Sequence, residues 1–288
     1  FDFARAEPSF SAALDLARLV GSRRVEMDAQ DGLGMIAWVR GDYLTALSLV
    51  EVAVTIAIEI VTPYDEALLL GKLVRLYCHL GNQAAAAQRL EQLTQLLASA
   101  KLPRECQLAG WLAAALKAHY AGDAQSALHY AEQANQLNKQ GEILFRLVDT
   151  LLIFGHTSAA NGKWEAATAA FQQALDAFTQ LGNRVLAAEP QAGLASVALA
   201  QGDLAAAQAQ VEAILPVLVE QPHAGYNEPF AIYLTCYHVL TAAGDERAVA
   251  LLQQGYALLQ QDAAGLDDEA RQYFLTAVPT HHDLVVAY

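Results

Sequence analysis

Six glycines, at positions 41, 81, 122, 162, 202 and 244, recur at intervals of 40, 41, 40, 40 and 42 residues. After each comes a residue suited to cap a helix (Asp42, Asn82, Asp123, Asp203, Asp245), with Lys163 the exception. Five residues past each glycine stands a small side chain: Ala46, Ala86, Ala127, Ala167, Ala207, and Val249 in the last copy. A fixed period of this length is the signature of stacked structural repeats, and it decides the architecture before any other feature. Glycine closes a helix because it enters the left-handed conformation at little steric cost, and the Asp or Asn after it satisfies the first amides of the next helix.

Between these turns, apolar residues recur at helical spacing in stretches rich in Ala, Leu and Gln, with almost no strand-like alternation. First helices are expected over 23–40, 64–80, 104–121, 142–161, 184–201 and 227–243. Second helices are expected over 42–60, 82–99, 123–138, 163–181, 203–220 and 245–261. A leading helix near 8–20 and a closing one at 266–276 complete the map. Prolines such as Pro8, Pro63, Pro103, Pro190, Pro229 and Pro279 mark helix ends, whereas Pro216 should kink or shorten its helix. The organisation is one domain over 1–288: a partial repeat 1–21, repeats 22–61, 62–101, 102–140, 141–182, 183–222 and 223–263, and a cap 264–288. Because the chain opens on Phe1 inside a repeat, it reads as part of a longer protein.

A net charge of −14 over 288 residues argues against a nucleic-acid partner, since little here would neutralise phosphates. Three scattered cysteines, Cys78, Cys106 and Cys236, without CxxC spacing, fit a reducing, cytoplasmic setting. The apolar run Leu44 to Val61 carries Glu51 and Glu59 and sits in register as a second helix, so it reads as a buried face and no membrane partner is expected.

The repeats resemble tetratricopeptide repeats. The fourth matches that consensus through Leu151, Phe154-Gly155, Gly162, Trp164, Ala167, Phe171 and Ala174, and the first through Leu33-Gly34, Gly41, Tyr43, Ala46 and Ala53. With the period near 40 rather than 34, the array resembles the C-terminal regions of large bacterial signalling ATPases and transcription activators. The tail Arg271-Gln272-Tyr273-Phe274-Leu275-Thr276-Ala277-Val278-Pro279-Thr280-His281 is similar to a segment that closes many such chains, with His282 standing where Arg is common. The resemblance implies an all-α, right-handed α-solenoid of about six helix hairpins, with an N-terminal partial repeat and a C-terminal capping helix.

In such arrays the first helices line a concave groove. Counting back from each turn glycine places Asp28, Asp31, Trp38, Arg75, His79, His119, Tyr120, Asp149, His156, Glu189, Ser196 and His238 in it as candidate ligand contacts. Histidine offers a donor and an acceptor near neutral pH, which suits polar recognition. The bland alternatives are that the histidines pack between helices, that Arg75 pairs with a neighbouring acid, and that Trp38 is core.

Gly155 to Lys163 lacks the spacing and the hydroxyl of a phosphate loop, since six residues separate Gly155 from Gly162-Lys163 and Trp164 follows. His281-His282 brings no third metal ligand, and neither Cys78-His79 nor Cys236-Tyr237-His238 has an oriented third group. No catalytic residue, metal or cofactor is therefore expected. The expected function is a non-enzymatic module that binds a protein, peptide or small effector in the groove, as the sensor or interaction region of a larger bacterial regulator. A structural adaptor or oligomerisation scaffold is the alternative, with self-association through the N-terminal end as one form of it.

Overall fold

The computed structural model describes residues 3–138, 144–223 and 227–288. Its described residues form fifteen α-helices and no strand. They run α1 (Phe3–Val20), α2 (Arg23–Val39), α3 (Tyr43–Glu59), α4 (Pro63–His79), α5 (Gln83–Ser99), α6 (Arg104–Tyr120), α7 (Ala124–Asn138) and α8 (Leu144–Ala160). After these come α9 (Trp164–Gln180), α10 (Ala188–Ala200), α11 (Leu204–Glu220), α12 (Pro229–Ala242), α13 (Arg247–Ala263), α14 (Asp268–Thr276) and α15 (Pro279–Ala287). Consecutive helices pack as hairpins, and α4, α6, α8, α10 and α12 touch one another in succession along the inner side.

All six repeating glycines have positive φ, between 69° and 81°. Asp42, Asn82, Asp123 and Asp203 each accept the amide three residues on, and Lys163 makes no cap bond. Ala46, Ala86, Ala127, Ala167 and Ala207 are wholly buried where the paired helices approach. The sixth turn departs from this scheme. There Asp245 accepts from Arg247, α13 starts at Arg247, Ala248 is buried, and Val249 is 62% exposed.

Three other expectations are corrected. α11 runs through Pro216 to Glu220, held by buried Ile214, Val217 and Leu218, whose packing outweighs a cost of about 3 kcal/mol for an interior proline. α1 likewise runs through Pro8, which forfeits only one amide bond near its start. α10 begins at Ala188 rather than 184, after a turn in which Asn183 accepts from the Leu186 amide. The expected start of the fourth first helix, at 142, lies outside the described residues. No helix among the described residues is long and apolar enough to cross a membrane.

The array also closes on itself, which periodicity does not announce. One buried cluster joins Tyr43 and Leu80, from the first two turns, to Phe230, Leu252, Leu259, Phe274 and Leu284. His79 sits 4.5 Å from Tyr43, 4.9 Å from Trp38 and 5.2 Å from His281, centroid to centroid. Phe274, Val278 and His281 of the closing segment are all fully buried, and His281 Nδ1 donates to the Phe274 carbonyl at 2.8 Å. The tail is a clasp between the two ends of the solenoid, built from α14 and a further helix, α15, that the sequence reading lacks.

Candidate functional site

The inner helices and the clasp border a cavity of about 210 Å³ that opens to solvent beside Ser196. Leu116, His119 and Tyr120 reach it from α6, Leu152 and His156 from α8, and Glu189 and Ser196 from α10. Arg75 comes from α4, Phe171 from α9, Asn227 and Glu228 from the start of α12, and Thr280 from α15. Gly155 and Gly193 leave room for the Phe171 ring, since a Cβ at either would lie within 2.6 Å of it. Against that ring stands His156, 4.9 Å away and edge-on.

A polar network crosses the cavity. The Arg75 guanidinium pairs with Asp149 of α8 at 2.5 Å and donates to the Asn227 side chain, 152 positions away in the chain. Asn227 in turn donates its amide N–H to Glu189 Oε2 at 3.1 Å. Glu228 accepts from the Tyr120 hydroxyl and, at 3.4 Å, from the Thr280 hydroxyl of the clasp. Glu189 is only 3% exposed, and its Oε1 has no partner among the described residues; neither has His156 Nε2.

Burial dictates the charge state of these groups. It pushes the Glu189 carboxyl up to about 8, against the Asn227 hydrogen bond and with the nearby Glu228 and Asp149 charges adding to the rise. Glu228 goes up to about 7 for the same reason, although Tyr120 and Thr280 favour its carboxylate. Burial drives His156 down to about 3 and lowers His119, so both imidazoles are neutral at pH 7. Burial opposes the Arg75 charge, but Asp149, with smaller contributions from Tyr120 and Glu189, more than compensates and keeps the guanidinium protonated.

Six of the twelve candidate positions thus line one cavity: Arg75, His119, Tyr120, His156, Glu189 and Ser196. Asp149 joins them as the partner of Arg75. The others are placed elsewhere. Asp28 pairs with Arg24 and Asp31 with Lys72 on a helix that does not reach the cavity. Trp38 and His79 are packed into the clasp, where burial holds His79 well below its ordinary value, so they do not face an open groove. His238 is exposed, because only Ala231, Ile232 and Thr235 at the N-terminal half of α12 face the cavity. Asn227, Glu228 and Thr280 were missed because counting from the turn glycines samples only the bodies of the first helices. The available signal was the polar pair directly before Pro229 and the hydroxyl inside the closing Val-Pro-Thr-His run.

The thiols offer no nucleophile. All three cysteines are buried, and burial pushes Cys78 and Cys236 to about 12.

The sequence matches no protein-family model, and no curated protein matches it. Solved structures do match. NprR in complex with its cognate peptide NprX superposes with a TM-score of 0.62 at 15% identity, over 99% of this chain and 83% of that one. A Rap protein complexed with competence and sporulation factor gives 0.57 at 14% identity, over 91% and 76%. Aspartyl phosphate phosphatase F from Bacillus subtilis gives 0.60 at 12%, over 95% and 73%. The fold is a tetratricopeptide-like solenoid. At these identities the likeness establishes that fold and nothing finer.

Proposed function

We propose that the chain is a non-enzymatic binding module that holds a peptide or small effector in the cavity between α4, α6, α8, α10 and α12. The observation that carries this reading is the largely apolar, partly open cavity with a few convergent polar groups, two of which keep buried atoms without partners among the described residues. Two of the similar structures are complexes, NprR with its cognate peptide NprX and a Rap protein with competence and sporulation factor, which supports a binding role for this fold. A larger bacterial regulator is the setting that the repeat length and closing segment favour. A ligand would act there by preferring the closed array over a more open one.

Proton transfer is a second reading, favoured by the near-neutral proton affinity of Glu189 and Glu228. Glu228 is already engaged by two hydroxyls, and no activated nucleophile lines the cavity among the described residues. Binding therefore takes precedence.

The test is thermal denaturation against a panel of peptides, sugars, nucleotides and amino-acid metabolites, repeated with His156→Ala and with Ser196→Phe, which fills the exposed lining position. A rise in Tm that both variants lose supports the reading. An equal rise in both variants sinks it, and turnover of a panel compound without a stable complex would favour proton transfer.

A further inference from the structure

We propose that the cavity takes a small alkylammonium group, a free amine or the end of a lysine side chain, with its cation at Glu189 and Glu228 and its carbon chain against Leu116, Leu152, Ile153 and Phe171. This rests on the binding reading above and names the ligand's chemistry.

The charge balance points to it. Among the described residues lining the cavity Arg75 is the one permanent cation, and its guanidinium is committed to Asp149 and Asn227. Glu189 and Glu228 therefore share the space without an ion pair of their own among the described residues. An incoming carboxylate or phosphate would meet two acids and an engaged arginine. An ammonium would meet Glu189 Oε1, which has no hydrogen-bond partner among the described residues, and the Glu228 carboxyl, which lines the same cavity close enough to act on Glu189. Three N–H donors suit several acceptors at once. The Phe171 and Tyr120 rings add aromatic surface, which attracts a cation where water is excluded.

Size narrows the choice further. A space of about 210 Å³ holds roughly seven waters. That accommodates an alkyl chain of a few carbons with a charged head. Exposed Ser196 in the lining gives the backbone of a lysine-bearing partner a place to remain outside.

With Glu189 up to about 8 and Glu228 up to about 7, the first is mostly and the second about half protonated at neutral pH, so an ammonium displaces a proton as it binds. Arg75 of α4, His119 and Tyr120 of α6, His156 of α8 and Glu228 at the N-cap of α12 line the cavity with Glu189, and Asp149 of α8 is near enough to act on it; burial keeps the two imidazoles neutral, leaving Glu189 and Glu228 to titrate. Affinity for an amine should therefore rise from pH 6 to about 8 and then level off.

Isothermal titration with n-pentylamine, n-pentanol, pentanoate and N-acetyl-lysine methylamide decides it. The expected result is binding of pentylamine, of the lysine compound or of both. Pentanol and pentanoate should bind at least about tenfold more weakly, and roughly one proton should be released at pH 7. Pentylamine alone identifies a free amine as the source, and the lysine compound alone identifies a partner's side chain. Glu189→Gln should weaken binding by about tenfold or more, while Glu91→Gln, which removes one exposed charge elsewhere, should not. If Glu189→Gln does not fold, Glu228→Gln and the proton release of the parent carry the test. Failure of both cations to bind, equal binding of pentanol, or no proton release overturns the inference. An uncharged panel compound whose binding His156→Ala abolishes would overturn this inference and leave the binding module standing.

Discussion

Gly81→Ala and Gly122→Ala form a matched pair that isolates the clasp. Both glycines have φ of +75°, so an alanine at either carries the same left-handed penalty, about 1–2 kcal/mol. Their surroundings differ. A Cβ at Gly122 meets nothing within 4 Å, whereas at Gly81 it would lie 2.5 Å from the Tyr273 carbonyl oxygen and 3.3 Å from the Ala277 Cβ. The oxygen belongs to the backbone of α14 and cannot swing aside, so α14 must retreat by roughly 1 Å, at an overpacking cost of about 1–3 kcal/mol. Gly81→Ala should thus lose about 2–5 kcal/mol in urea denaturation followed by circular dichroism, against about 1–2 for Gly122→Ala. Because a repeat array can open locally, the excess should be concentrated at one end. Hydrogen exchange of the Phe274–Leu284 amides should accelerate in Gly81→Ala and stay at the parent's rate in Gly122→Ala. Equal destabilisation of the two, within about 0.5 kcal/mol, would refute the closed array.

Other consequences follow from the buried ionisable groups. His156 and His281 are held near 3 in the folded chain against an ordinary 6.5, so only the unfolded chain gains their protons as pH falls below 6.5, and stability is lost on the acid side. Glu189 and Glu228 are raised, so their contribution instead falls as pH rises from 4.5 through about 8, and the balance of these four groups puts the maximum at about pH 5–6. Glu189→Gln should flatten the alkaline decline, gaining about 1–3 kcal/mol over the parent at pH 8.5 in the same assay, and an unchanged slope would contradict the burial of that acid. A double-mutant cycle on Arg75→Ala and Asp149→Ala should give a coupling of about 1–3 kcal/mol, below that of a fully buried pair because the side chains are 24% and 19% exposed. Additive effects would mean that the pair does not bridge α4 and α8. All three thiols should resist an aromatic disulfide reagent in the folded protein and react on unfolding; rapid native labelling would place Cys78, Cys106 or Cys236 at the surface.

What the sequence disclosed was what repeats. Turn glycines, caps and small packing residues are local and periodic, so hairpin positions could be read directly, and in the central repeats the counted residues His119, Tyr120, His156 and Glu189 converge on one cavity. The ends obey different physics. Whether Trp38 and His79 face a groove depends on whether a segment more than two hundred positions later folds over them, and no spacing encodes that contact. In the sixth repeat the altered turn and the proline-initiated α12 left His238 in solvent. Arg75 showed the opposite limit: its pairing with an acid was foreseen as a neutral possibility, but not that the acid would be Asp149, two repeats away, nor that Asn227 would complete the bridge.

The most direct test of a ligand site inside the closed array is a methyl-labelled NMR titration with the first panel compound that raises the Tm. The methyls of Ile153 and Ile232, which line the cavity, should shift, and those of Ile56 and Ile214, which pack between helices away from it, should not. Shifts confined to Ile56 or Ile214, with Ile153 and Ile232 unmoved, would contradict a ligand site in the cavity.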